Sequence, residues 1–309
     1  MKASVVIPAH STPPERLARV FAALAEQTLS EEEWDIILVD NASPEPLHVS
    51  AQPAGPACQV IREPRLGATH ARATGIRAAR GELIVFVDDD NLLAPDYLEQ
   101  ACALHALHPD LGAFGGAIVP DFAVPPPAWA KNHLHELALR DLGAEAFIRT
   151  DTFPVRDYPW FSPYGAGLVM LRTASLAYLD WMETADSPMT DRVGRQLGGC
   201  GDTEMIWIGV LRRGLGVAYS GRLRLTHLIP AVRLRYGYFM RLQLQGGFSW
   251  GRFLVSHGLR PAETRVGLVL KGLKSLVVNL PRGATGVLSF LRRWGELRGA
   301  LDPQRRLSL

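Results

Sequence analysis

Glu82 to Asn91 reads ELIVFVDDDN, an apolar run that breaks into three consecutive carboxylates, Asp88, Asp89 and Asp90. Adjacent carboxylates repel one another unless a cation lies between them. Hard oxygen donors with no His or Cys close by in sequence favour Mg²⁺ or Mn²⁺. A solvated turn is the plainer account, since strands commonly end in Asp and Asn. A calcium loop of the EF-hand kind fits badly, because Leu92 stands where a ligand belongs and no loop glycine follows. A haloacid-type phosphatase would place its paired aspartates on the first strand, and these lie on the third or fourth. Cys58, Cys102 and Cys200 are odd in number and far apart, which suggests neither a disulfide framework nor a zinc site.

The elements that must hold these carboxylates follow from the apolar pattern. SVVIPAH reads as a buried strand, and Thr12 with Glu15 has capping-box spacing at the start of a helix whose first turn tolerates Pro13 and Pro14. DIILVD reads as a second strand ending in Asp40, and THARATGIRAARG as a helix that stops at Gly81. Short apolar strands alternating with helices imply an α/β fold with a mainly parallel sheet covered on both faces. Ligands of such sheets bind beyond the carboxyl ends of the strands. Pro8, Ala9, His10, Asp40 and Asp88 to Asp90 all fall at those ends and should converge on one crevice. No GxGxxG follows the first strand, which argues against a dinucleotide. Further on, PDFAVPPPAWAKNH reads as an exposed excursion, YGAGLVMLR as a glycine-punctuated strand, and GGCGDTEMIWIGVLRRG as a loop leading into a helix.

Taken in order, SVVIPAHS, IILVDNAS, LGATHARATGIRAARGELIVFVDDDNLLAPDYL and GGCGDTEMIWIGVLRRG resemble the successive motifs of a family-two glycosyltransferase of the GT-A fold. The resemblance covers roughly residues 2–230. It implies transfer of a sugar from a nucleoside-diphosphate donor, usually UDP-linked, with inversion at the anomeric carbon. It places the nucleobase on the backbone around Pro8, Ala9 and His10 and on the Asp40 carboxylate, and the ribose on Asp88, with Asp89 beside it. Asp90 would bind the Mn²⁺ or Mg²⁺ that bridges the phosphates, and His227 would complete the metal shell. A departing diphosphate gathers negative charge, which a divalent cation stabilises. Arg65 and Arg72 would add positive charge, although both are also readable as ordinary surface arginines.

The same resemblance makes Asp202 the base that takes the acceptor's proton. The family often has Glu-Asp here, whereas this chain has Gly201 before Asp202. Asp202 and Glu204 are also what a helix N-terminus favours, and the two roles can coexist. Trp160 and Tyr164 offer aromatic faces of the kind that pack on sugar rings or lipid carriers. Gly165 and Gly167 would let an acceptor approach the backbone, and Glu204 would lie at the acceptor.

The 309 residues, 47% hydrophobic and 21% charged, suffice for a globular domain with an appendage. The opening residues read at once as a strand, so no secretory signal is expected and the compartment is expected to be cytosolic. Formal charge is unevenly spread. Residues 260–309 carry ten Lys/Arg against three Asp/Glu, a net of +7, and the remainder carries −5. Val266, Val269, Leu270, Leu273, Val277 and Leu280 share one helical face, and Val287, Phe290, Leu291, Trp294 and Leu297 a second. Neither run reaches the ~20 apolar residues a spanning helix needs. The expected division is therefore a glycosyltransferase domain over 1–230 and a basic, amphipathic helical region over 231–309. That region would dock peripherally on the anionic inner face of the cell membrane, with no nucleic acid as partner. A saccharide or lipid-linked acceptor suits that location. A sugar nucleotidyltransferase remains a rival, but it would need a glycine-rich basic loop where AHSTPPERL stands. A sugar-nucleotide-binding protein without activity is kept open by Gly201.

Overall fold

The computed structural model describes residues 1–47, 56–150, 157–185 and 197–301. Its strands are β1 (Ala3–Ala9), β2 (Trp34–Asn41), β3 (Cys58–Glu63), β4 (Leu83–Phe86), β5 (Asn91–Leu93), β6 (Leu111–Phe122), β7 (Ala146–Arg149), β8 (Leu168–Leu171) and β9 (Gly216–Ile229). Its α-helices are α1 (Pro14–Ala25), α2 (Ala68–Ala78), α3 (Tyr97–Leu107), α4 (Arg172–Thr184), α5 (Gly201–Gly209), α6 (Tyr236–Ser256), α7 (Arg265–Asn279) and α8 (Gly283–Gly299). The chain divides into two compact units. The first comprises Met1–Asp121, Ala138–Glu183 and Met205–Leu228, and the second Phe122–Leu137, Thr184–Glu204 and Ile229–Leu309.

The first unit is built on one mixed sheet in the order β3-β2-β1-β4-β8-β6-β9-β5, with β7 beside β9. β1 pairs in parallel with β2 and β4, and β2 with β3, so four strands end on the same edge. Val5, Val6 and Ile7 are fully buried, which explains why β1 reads as a continuous apolar run rather than an alternating one. β4 and β6 pair antiparallel with β8, and β5 and β7 antiparallel with β9. In the antiparallel half β8 falls within the strand read from YGAGLVMLR, whereas β5 escapes sequence patterning because it has only three residues, too few to show a period.

One local expectation changes. α1 begins at Pro14 without a side-chain cap, and the Thr12 hydroxyl donates to Asp89 instead of closing a capping box. Proline at the first position supplies the helical φ that the cap was expected to enforce.

The second unit is helical. Its proline-rich contribution is not a bare excursion: residues 128–137 form a 3₁₀ segment in which Ala130 and His133 are buried. Trp129 there meets Tyr236 and Phe239 edge-on, at centroid distances of 5.0 and 5.2 Å. α6 and α8 pack backbone to backbone across four glycines. A Cβ on Gly247 or Gly251 would lie 2.2 or 2.0 Å from the carbonyl oxygens of Arg292 and Glu296. A Cβ on Gly295 or Gly299 would lie 2.1 or 2.0 Å from those of Leu244 and Phe248. Leu288 and Leu297 of α8 are fully buried. Of the apolar face foreseen on α8, Leu297 is buried and Val287, Phe290, Leu291 and Trp294 are half-buried, so none of it stands fully exposed. Among the described residues no helix is long and apolar enough to cross a membrane.

Candidate functional site

Because β1, β2 and β4 are parallel, Ala9, Asn41 and Phe86 end on one edge, and the loops after them meet there. His10 Nδ1 lies 2.7 Å from the Asn41 carbonyl oxygen, and the Ser11 amide donates to Ser43 Oγ at 2.9 Å. Pro8 is half-buried, Ala9 buried and His10 exposed, so the β1 end offers backbone and an imidazole to the crevice.

Asp40 is buried and heavily engaged. It accepts from the amides of Ser43 (3.1 Å) and Leu47 (3.4 Å) and from Arg62 Nη1 (2.7 Å). Burial alone would raise its carboxyl, yet the hydrogen bonds from Ser43 and Leu47, with the Arg62 guanidinium, outweigh it and hold Asp40 below the usual carboxylate range. The side chain thus organises the loop after β2. Asn41 does similar work, accepting from the Gly67 amide and donating to the Arg65 carbonyl, both at 2.7 Å.

Arg65, expected to supply positive charge to a ligand, is instead held by Glu63, through Nε to Oε1 at 2.9 Å and Nη2 to Oε2 at 3.0 Å. That fork, outweighing burial, and a further bond from Thr74 pull Glu63 down to about 2. Arg72 is buried, and its Nη2 reaches Asp88 Oδ1 at 3.2 Å.

The three carboxylates do not surround one point. Asp88 faces Arg72. Asp89 turns back toward α1, accepting from Thr12 and from Arg16 Nη2 at 2.8 Å, so the direct nucleotide contact expected of it is replaced by a bond to the chain itself. Burial and the neighbouring Asp90 push Asp89 up despite Arg16. Asp90, 4% exposed, accepts from Asn91 Nδ2 at 3.1 Å and sets its other oxygen 3.5 Å from His227 Nε2. The β5–β9 ladder makes this meeting: Asn91 is registered on His227, and the Leu228 amide donates to the Asp90 carbonyl at 2.8 Å. Residues 137 apart in sequence are thus brought side by side. Among the described residues no group of three or more His, Cys, Asp or Glu side chains forms a cage for a metal ion. The Asp90–His227 pair provides two donors, one carboxylate oxygen and one imidazole nitrogen.

The aromatic segment lies elsewhere in the first unit. Trp160 is 65% exposed and meets the Phe147 ring edge-on at 5.4 Å. Arg140, which no motif singles out, stacks on Tyr164 with Cζ 3.8 Å from the ring centroid. It also donates to the carbonyls of Ser162 (2.5 Å) and Trp160 (3.3 Å), fixing this turn from below. Gly165 is buried. Gly167 is not an open approach for an acceptor. Its φ of +68° needs glycine, and a Cβ would fall 2.4 Å from Leu225 and 2.7 Å from the Tyr97 hydroxyl.

Asp202 and Glu204 occupy the first turn of α5. Asp202 is half-buried, and its Oδ1 accepts from the Thr203 amide at 2.8 Å. Glu204, expected beside an acceptor, is fully buried and meets His257 Nε2 at 2.8 Å within the second unit. His257 follows the last residue of α6, and nothing in its sequence neighbourhood announced the pairing.

Over 106 residues the chain is 34% identical to the succinoglycan biosynthesis protein ExoW of Rhizobium meliloti, covering 32% of this chain and 33% of that one. Over 132 residues it is 26% identical to the glucosyl-dolichyl phosphate glucuronosyltransferase of Haloferax volcanii, covering 41% of each. The aligned stretches thus span well under half the length of these relatives. Among solved structures, S. aureus TarS superposes over 91% of this chain and 46% of its own, with a TM-score of 0.50 and 16% identity, a likeness of fold. Residues 4–174 match the family described as glycosyl transferase family 2, and with more than half of its residues inside that match the chain belongs to this family.

Proposed function

We propose that this glycosyltransferase moves a sugar from a UDP-linked donor to a saccharide or lipid-linked acceptor, with inversion, and that Asp90 and His227 hold a Mn²⁺ or Mg²⁺ ion for the diphosphate. The observation that carries the reading is the Asp90–His227 corner: a buried carboxylate 3.5 Å from an imidazole, two positions beyond Asp88, which faces Arg72 of α2, on the loop after β4. A hard oxygen and a borderline nitrogen on one side fit such an ion, which commonly keeps other positions for water and phosphate oxygens. When bound, the ion would offset the charge that builds on the leaving diphosphate.

The chain's own residues would do the rest. The backbone at Pro8 and Ala9, with the loop that Asp40 organises, would seat the base, and Asp88, steadied by Arg72, would accept from the ribose hydroxyls. The acceptor hydroxyl would attack the anomeric carbon opposite the leaving group. Its proton would pass to the Asp202 carboxylate as the bond to phosphate breaks and its electron pair leaves with UDP. The Haloferax relative, named for a dolichyl phosphate substrate, supports a lipid-linked acceptor.

A donor panel tests this. UDP-, GDP-, CDP- and dTDP-sugars are incubated with lipid-phosphate-linked saccharides and divalent cation, and release of nucleoside diphosphate is followed. UDP release that rises with acceptor is expected. Binding of UDP-sugar with no release under any acceptor would favour the protein that binds without transferring, and selective release of another diphosphate would replace UDP.

A further inference from the structure

The large apolar residues of α8 are buried or half-buried, but most of those of α7 are exposed. Val266, Val269, Leu270, Leu273 and Val277 are between 52% and 73% exposed, and Leu280 follows at 56%. At 100° per residue the first five fall within an arc about 100° wide, a continuous stripe. The opposite side of α7 is seated: a Cβ on Gly272 would lie 2.4 Å from the Trp294 ring of α8. The stripe is therefore held outward by packing on its back.

Charge around the stripe has one sign. From Arg265 to Gly295 there is no Asp or Glu, while Arg265, Lys271, Lys274 and Arg282, on α7 and at its ends, are basic; Arg292 of α8 faces α6 and pairs with Glu136 at 3.3 Å. The nearest acids are already matched. Glu263 is bound by Arg260 (2.8 Å) and Lys271 (2.6 Å), and Glu296 by Arg260 (2.5 Å) and Arg293 (3.0 Å). Lys274 stands exposed on the edge of the stripe, with Arg265 and Arg282 exposed at the ends. A second copy of α7 is a poor occupant, since facing helices would set Lys and Arg against Lys and Arg with no acid to answer them.

We propose that α7 is a membrane-docking helix that lies in the interface of a bilayer rich in anionic phospholipid, its stripe among the upper acyl chains and its basic residues at the headgroups. Its length and apolar content suit lying on a bilayer rather than crossing it. The inference does not depend on the donor, the metal or the base.

The test uses the full chain and sedimentation with vesicles of phosphatidylcholine alone or mixed equally with phosphatidylglycerol. Binding is expected to the mixed vesicles and to weaken with salt. Leu270→Glu with Leu273→Glu should lower the partition coefficient at least about a hundredfold. Lys274→Glu should lower it about tenfold. Both side chains in the double variant are more than half exposed, so its melting temperature and its UDP affinity should match the parent, which separates loss of docking from loss of the nucleotide site. A parent chain that stays in solution with the mixed vesicles at low salt would overturn the proposal. So would a double variant that binds as well as the parent, or a parent dimer that the double variant abolishes without any vesicle binding.

Discussion

Asp202→Asn should melt close to the parent, bind UDP and cation normally, and lose sugar transfer by about 10² to 10⁴, the usual contribution of a general base. The structural reason is specific. Asp202 Oδ1 accepts from the Thr203 amide at 2.8 Å, and the amide oxygen of Asn can take over that bond. What Asn cannot do near neutral pH is accept a proton. If Asp202 merely steadied the start of α5, the Asn variant would keep its transfer rate, and only Asp202→Ala would show a loss, of about 1 kcal/mol in stability. Kinetics of both variants beside thermal melts separate these outcomes. Near-parental transfer by Asp202→Asn would move the base elsewhere. Asp191, an acid in the segment before α5, would be the next candidate to test and lies outside the described residues.

The second large effect is expected at the glycine seam. Gly251→Val should destabilise the second unit by about 3 kcal/mol or more, because its Cβ would sit 2.0 Å from the Glu296 carbonyl oxygen, which α8 can relieve only by moving away as a whole. Gly247 and Gly251 on α6, and Gly295 and Gly299 on α8, are each four residues apart and line up one contact edge per helix. This is how helices bring their backbones together. Gly237 on the same α6 is the control. Nothing lies within 4 Å of its Cβ position, so Gly237→Ala should be neutral or stabilise by about 0.5 to 1 kcal/mol through helix propensity alone. Denaturant melts of the three proteins check both. Equal midpoints for Gly251→Val and the parent would show that α6 and α8 do not pack as described.

These glycines also show where sequence reading stops. Three of the four parallel strands, β1, β2 and β4, were legible because burial on both faces demands unbroken apolar runs, and their ends fixed where Pro8, Asp40 and Asp88 must meet; β3, with Gln59 and Val60 exposed, shows no such run. The family motifs ride on those strands. What sequence could not supply is contact made by register. The family resemblance put His227 beside Asp90, but no local pattern did: the two meet because a three-residue strand pairs antiparallel with β9. Asp89 belongs to Thr12 and Arg16, a pairing hidden behind the capping-box spacing of Thr12 and Glu15. Arg65 looked like a free cation because Glu63 two residues earlier carries no pattern that announces a fork. The amphipathic tail was visible as two equivalent faces. Which face is packed and which is exposed depends on the glycines between α6 and α8, and helical periodicity does not record that.

The central claim is that the Asp90–His227 corner makes diphosphate binding depend on a divalent cation. Calorimetry of UDP binding, with Mn²⁺ and with chelator, on the parent and on Asp90→Ala tests it most directly. The account predicts that Mn²⁺ tightens UDP binding to the parent by at least about tenfold, the scale of one lost ligand in a metal site, and that Asp90→Ala folds normally but no longer responds to the ion. Equal UDP affinity in Mn²⁺ and in chelator for the parent would contradict it.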